Sequence, residues 1–260
     1  MAFNKDSVGG TLAVAFMVCL VCAVVVSTAA VTLRPTQEAN RILDRQVNIL
    51  RAAGRYEPGV DVQAEFAKID RRFVDIETGE YVDMPDDFDQ RRAARDDEMG
   101  RRLSSAQDIA SIRRQSRVAE VYIVRDDEGQ AERLILPIHG YGLWSTMYGF
   151  LSLETDISTI AGVVFYEHGE TPGLGGEIEN PRWRSLWEGK QLFDDDGDVA
   201  FQVIKGSVDS GTTDAEHKVD GLSGATLTAN GVTNMVRFWA GENGFGPYLE
   251  RLKNDSSLLN

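Results

Sequence analysis

VAEVYIVRDDEGQAERLILPI, residues 118–138, sets the fold class. Val118–Val124 is rich in β-branched and aromatic residues, Asp126-Asp127-Glu128-Gly129 is a turn cluster, and Arg133–Ile138 is apolar again, so the stretch reads as a β-hairpin. Downstream, Tyr148–Leu153, Gly162–Tyr166 and Asp198–Ile204 predict further strands, while Pro181–Trp187 and Thr228–Trp239 carry helical spacing. Strands in runs with helices set apart predict an α+β domain, a mainly antiparallel sheet flanked by helices, rather than a regular parallel βαβ array.

Upstream, Leu43, Val47 and Leu50 predict a helix over Ala39–Arg55, and Phe66, Ile69 and Phe73 predict a second that starts at Asp61, its cap. Asp83–Arg117 alternates acidic and basic residues and reads as a solvated helix or loop excursion. Ser7–Leu33 contains no charged residue and is long enough for a single transmembrane helix, which needs about 20 residues. A cleaved signal peptide ending near Ser27-Thr28-Ala29-Ala30 is the rival reading, but Ala30–Leu33 prolongs the apolar run past that point. The expected division is an anchor at 1–33, a helical and charged connecting region at 34–117, and a domain bearing the site at 118–260. Lys5 precedes the anchor, while Arg34, Arg41, Arg45 and Arg51 follow it, so a naive charge count places the large domain in the cytoplasm. Large domains are translocated regardless of such counts, and the charges leave the side open.

The 260 residues carry 41 acidic against 27 basic side chains, a net charge of −14, which argues against nucleic acid as a partner. The two cysteines, Cys19 and Cys22, both lie in the apolar run and read as small residues in lipid rather than a redox pair. With three histidines, His139, His168 and His217, little remains for a metal site. There is no GxGxxG after a strand, no GxxxxGK[ST], no GxSxG and no HExxH, so the chain itself is not expected to bind NADH or ATP. Asp194-Asp195-Asp196-Gly197-Asp198 lacks the spacing of a calcium loop and reads as a surface turn.

Three segments stand out. Asp220-Gly221-Leu222-Ser223-Gly224-Ala225-Thr226 precedes a helix whose free N–H groups and dipole suit a phosphate, although a capped helix start fits equally. His168-Gly169-Glu170-Thr171-Pro172-Gly173-Leu174-Gly175-Gly176-Glu177 is a glycine-rich loop suited to a flat ligand, or else a long turn. His139-Gly140-Tyr141-Gly142-Leu143-Trp144 is a glycine–aromatic loop whose rings can flank a conjugated system or pack a core edge.

Together these segments resemble the C subunit of the bacterial sodium-translocating NADH:quinone reductase, a family with an FMN-binding domain. The likeness runs from the anchor to Trp239-Ala240-Gly241-Glu242-Asn243-Gly244-Phe245-Gly246-Pro247-Tyr248-Leu249. In that family the threonine of SGAT carries FMN through a phosphoester. The resemblance therefore implies Thr226 as the attachment residue, with Asp220, Ser223, Gly224 and Ala225 as the sequence read by a flavin transferase. It further implies Glu170, Thr171, Gly173, Leu174 and Trp144 as non-covalent flavin contacts. Lys205 reads as a weak candidate for a cation near the ring or else as an ordinary surface lysine. Ala229 stands where relatives often have serine.

The implied function is an electron-transfer subunit that relays electrons through covalent FMN toward ubiquinone, while the whole complex exports sodium; the redox chemistry is the flavin's. Implied partners are the other subunits of a six-subunit membrane complex, which bind NAD and quinone, together with membrane lipid. The transmembrane run has no Asp, Glu, Lys or Arg and offers no ion pathway. The resemblance places the soluble domain on the periplasmic side of the inner membrane, against the naive charge count. The alternative is the FMN-carrying G subunit of an Rnf-type electron-transport complex, which shares SGAT and ETPGLG but not GLWSTMYGF. A membrane-anchored binding or assembly module with a non-redox ligand is the reading from another class.

Overall fold

The computed structural model describes residues 7–259, so Lys5 and its place in the charge count lie outside the described residues. The chain forms two compact units that divide between Gln46 and Val47. Helix α1 (Val8–Ala52) is 45 residues long and runs through Pro35; an 18-residue window of it has mean hydropathy 2.7 and is not buried in protein. It is long and apolar enough to cross a membrane, and Leu43, Val47 and Leu50 belong to this same helix. Cys19 and Cys22 are free and exposed on it.

After the end of α1, the second unit continues with α2 (Val62–Phe66) and β1 (Ile69–Asp75), followed by α3 (Gln90–Ala93), β2 (Gly100–Arg102) and β3 (Arg114–Ser116). Four long strands come next: β4 (Val118–Arg125), β5 (Ala131–Tyr141), β6 (Thr146–Glu154) and β7 (Ile160–Glu167). The chain closes with α4 (Pro181–Arg184), β8 (Gln202–Val203), β9 (Lys218–Val219), α5 (Thr226–Ala240) and α6 (Gly246–Asn254). The main sheet is antiparallel in the order β1-β4-β5-β6-β7, β2 and β3 form a small antiparallel pair, and β8 and β9 a parallel one. The expected α+β class and the hairpin of Val118–Ile138 are both present.

Several expectations are corrected. The helix at Asp61 is capped as predicted, its carboxylate accepting from the Gln63 and Ala64 N–H groups, but it ends at Phe66. Ile69 and Phe73 lie instead on β1, paired with Val124 and Glu120 of β4. A spacing of three and four apolar positions is also compatible with a short helix followed by a strand, and cross-strand pairing decides. The connecting region is thus part of the sheet, and the compact unit begins at Val47 rather than Val118. The charged excursion is pinned down too: Arg71 donates to the Asp86 and Phe88 carbonyls and to buried Glu120, and Arg101 and Gln115 both donate to the Asn243 carbonyl. The strand expected at Asp198–Ile204 shrinks to Gln202–Val203, and α6 has no counterpart among the sequence expectations. Asp194 does form a turn, its Oδ1 accepting from the Asp196 and Asp198 N–H groups.

Alternation along the strands sends side chains to two faces. On one face Val121, Ile123, Leu134, Leu136, Leu151 and Phe165 join a core with Val232, Met235, Val236 and Trp239 of α5. On the other, Tyr122, Val124, Ile135, Phe150 and Val164 pack with Ile49, Leu50, Ala52 and Ala53 at the end of α1. Ile49 and Leu50 are 1% and 0% exposed. A chain starting at Val47 is expected to unfold cooperatively in denaturant, whereas one starting after Ala53 loses on the order of 2–5 kcal/mol for each of these two side chains. Equal midpoints for the two chains would refute this assignment of the second face.

Candidate functional site

The site is built around one buried carboxylate. The turn Gly142–Ser145 joins β5 to β6 and is closed by the Gly142 N–H donating to the Ser145 carbonyl at 2.8 Å. The glycine-rich loop leaves β7 at His168, and α5 begins at Thr226. Glu170, 4% exposed, reaches all three segments. Its Oε1 accepts from the Leu143 and Trp144 N–H groups at 3.0 and 2.9 Å, with Ser145 N–H farther off at 3.4 Å. Its Oε2 accepts from the Thr228 hydroxyl at 2.5 Å. Glycines leave the space: a β-carbon on Gly142 would stand 2.5 Å from Oε1, and one on Gly175 would stand 2.7 Å from Oε2. Two further bonds brace the loop: the Gly169 N–H donates to Ser145 Oγ at 2.5 Å, and the Glu170 N–H donates to His168 Nδ1 at 3.1 Å. Nδ1 is therefore the unprotonated ring nitrogen, and Nε2 faces Glu179 Oε1 at 3.0 Å.

Burial pushes the Glu170 carboxyl upward, but the Thr228 hydroxyl and the Trp144, Leu143 and Ser145 N–H groups outweigh it and hold the group below the usual carboxylate range. The family resemblance implies Glu170 as a flavin contact. In the structure both of its oxygens accept from donors of this chain, which ties the three segments together. Thr228 and Ser145, which complete this arrangement, are not among the residues singled out from sequence; the only signal was a second hydroxyl two residues beyond Thr226.

His139 and Gly140 also depart from expectation, lying within β5 rather than in a loop. The His139 ring stacks on Tyr148 at 5.4 Å and meets Trp239 at 4.9 Å between centroids. Burial, with Arg91 nearby, lowers its pKa to about 4 and keeps it neutral.

The third segment carries the exposed chemistry. Asp220 is a brace: its Oδ1 accepts from the Val208 N–H at 2.7 Å and its carbonyl from Trp183 Nε1 at 2.8 Å. Lys205 is exposed next to Gly206, whose carbonyl accepts from the Gly221 N–H. Ser223, Gly224 (φ +72°) and Thr226 are exposed, and Ala225 is buried. Ala225 occupies the N-cap of α5, and no side chain caps the helix. The first bond of the helix is Ala229 N–H to the Ala225 carbonyl, so the Thr226, Leu227 and Thr228 N–H groups have no acceptor among the described residues. The capped helix start that the sequence left open is thus not what forms.

Large apolar side chains are exposed on all three segments. Trp144 is 65% exposed, Leu227 60% and Leu174 44%, and Leu174 Cδ2 stands 3.0 Å from where a β-carbon of Gly224 would be. Thr171 and Gly173 are exposed on the same loop; Gly173 has φ +75° with open space beside it, so a side chain there strains the backbone without a steric clash. Free N–H groups and a helix dipole for a phosphate, beside apolar surface for a flat ring, fit a flavin mononucleotide.

Replacement of Glu170 by Gln leaves a neutral acceptor in a cluster of donors and should destabilise the fold by about 1–3 kcal/mol near neutral pH. Because the folded carboxyl has a depressed pKa, its contribution is complete above the ordinary carboxylate range and is lost as pH falls through the folded value. The gap in denaturant midpoint between wild type and E170Q should close on acidification; a gap that is constant with pH would rule out an ionised clamp.

Comparison with known proteins agrees with this geometry. Residues 142–241 match the FMN-binding domain family, a span that includes Glu170 and Thr226. The chain is 51% identical to the C subunit of the Na(+)-translocating NADH-quinone reductase of Yersinia pestis over 255 residues, covering 96% of this chain and 95% of that protein. It is 51% identical to the C subunit of the same enzyme in Pseudomonas aeruginosa, covering 96% and 98%. The crystal structure of Shewanella oneidensis NqrC superposes with a TM-score of 0.75 at 40% identity, covering 83% of this chain and 98% of that one. Likeness along nearly the whole length favours this family over the Rnf-type alternative. The chain belongs to the C-subunit family of the Na(+)-translocating NADH-quinone reductase, an electron-transfer component with an FMN-binding domain.

Proposed function

We propose that Thr226 carries FMN as a phosphoester on its Oγ1, and that Asp220, Ser223, Gly224 and Ala225 form the sequence a flavin transferase reads. The observation that carries this reading is the bare start of α5: an exposed threonine beside N–H groups that no side chain caps. The flavin supplies the redox chemistry, accepting electrons and passing them on. The chain does the rest. The α5 N-terminus holds the phosphate by hydrogen bonds and its dipole. Trp144, Leu174 and Leu227 present apolar surface that excludes water from the ring, and Thr171 and Gly173 complete the loop beside it. Glu170 keeps these segments in register.

In this role the chain passes electrons between redox centres of other subunits in a six-subunit membrane complex, where NAD and quinone are bound elsewhere. The length and apolar character of α1 support a place in the bacterial inner membrane, in contact with lipid. The family resemblance favours a periplasmic second unit, and a domain of this size is weakly governed by Arg34, Arg41 and Arg45.

Intact-mass analysis of the full chain, co-produced with a flavin transferase, tests the attachment. Wild type should keep the FMN mass after denaturation, T226A should lose it completely, and T226S should keep a part because it retains a hydroxyl. Flavin found on any peptide lacking Thr226 would refute the proposal.

A further inference from the structure

A cavity of about 340 Å³ lies between the end of α1, β5, β7 and α4, and none of its lining belongs to the three segments around Glu170. Arg51, Arg133 and Arg184 converge on it from three different elements, with Ser185 beside them and Glu188 as the single carboxylate of the lining. This is an unusual gathering of positive charge in a chain of net charge −14.

The three guanidinium groups are incompletely neutralised. Nε of Arg133 and Nε of Arg184 are both buried without a hydrogen-bond partner. Arg133 donates one Nη1 hydrogen to the Ala53 carbonyl at 3.0 Å, and the carboxylate paired with it, Glu154, is 4.0 Å away. Arg51 donates to Asn48 Oδ1 at 3.2 Å and lies over the Tyr56 ring, neither of which carries a negative charge. Burial and the like charge of Arg51 both weaken the hold of Arg184 on its proton; Glu179 opposes them, but that carboxylate already faces His168. Buried charge without a counter-ion is costly, and an arriving anion removes the cost.

We propose that this cavity is a binding site for a phosphate ester. A planar carboxylate is satisfied by the fork of one guanidinium, whereas three guanidinium groups and a hydroxyl around one void match the tetrahedral oxygens of a phosphate. The remaining walls, which include Ala161 and Val163, leave room for the small organic group that carries the phosphate. A soluble phosphate monoester and the headgroup of an anionic phospholipid share this chemistry.

Isothermal titration calorimetry on the flavinylated full-length protein in neutral detergent tests the site. The probes are sn-glycerol 3-phosphate, short-chain phosphatidylglycerol and, as the carboxylate control, succinate. One saturable site for a phosphate probe is expected, weakened about tenfold or more in R133Q and R184Q, as loss of a charge-assisted hydrogen bond implies. R51Q, at an exposed position, should weaken binding as well and serves where the other two variants fold poorly. Tighter binding of phosphatidylglycerol than of glycerol 3-phosphate identifies a lipid headgroup as the natural ligand; the reverse order identifies a soluble ester. The proposal is overturned by no saturable binding, by affinities unchanged in all three variants, or by succinate binding as tightly as phosphate.

Discussion

The carboxylate of Glu170 is the constraint on which the site depends. It lies 58 residues from its partner Thr228 and 26 from Trp144, so its hydrogen bonds close two long loops of chain at a single point. Each bond to an ionised acceptor is worth about 1.5–3 kcal/mol, and removing the carboxylate would leave buried donors unpaired. Neither the Gly142–Ser145 turn nor the His168–Gly176 loop has regular secondary structure of its own over most of its length. Their shape comes from what they bond to, and that is chiefly this side chain.

Helix α5 supplies the firm edge against which the loops are set. Val232, Met235, Val236 and Trp239 bury its inner face on the sheet, and Trp239 Nε1 donates to the His139 carbonyl at 2.7 Å, fixing the far end to β5. Near its start the helix lies so close to the strand that a β-carbon on Gly231 would meet the Tyr141 carbonyl at 2.5 Å. Thr226 and Thr228 share the first turn but point to different sides. One hydroxyl faces solvent, and the other is buried against Glu170. An exposed group is thereby held on a well-packed element, which is what a fixed attachment point requires.

Part of this was readable from residues alone. SGAT before a helical pattern announces a helix N-terminus, and the β-branched and aromatic residues of Val118–Val124 announce a strand, because both are local patterns. The clamping part of Glu170 was hidden for a physical reason: an acid among glycines signals a contact, but the donors that saturate it come from chain segments that sequence does not place nearby. Thr228 was missed likewise, since a threonine in an apolar helix reads as filler until its acceptor is known. On β1, the helical spacing of Phe66, Ile69 and Phe73 straddles two elements, and only pairing with β4 separates them. The charged stretch 83–117 reads as solvated from sequence because the acceptors of Arg91 and Arg101, the Glu167 carboxylate and the Asn243 carbonyl, lie far away along the chain.

The saturation of Glu170 also bears on how the centre handles protons. A carboxylate whose oxygens are all engaged, and whose proton affinity lies below the ordinary range, stays ionised throughout physiological pH. It is no proton reservoir over that range. The carboxylate therefore acts as a permanent negative charge, and the three segments are held by a contact that physiological changes of pH do not switch.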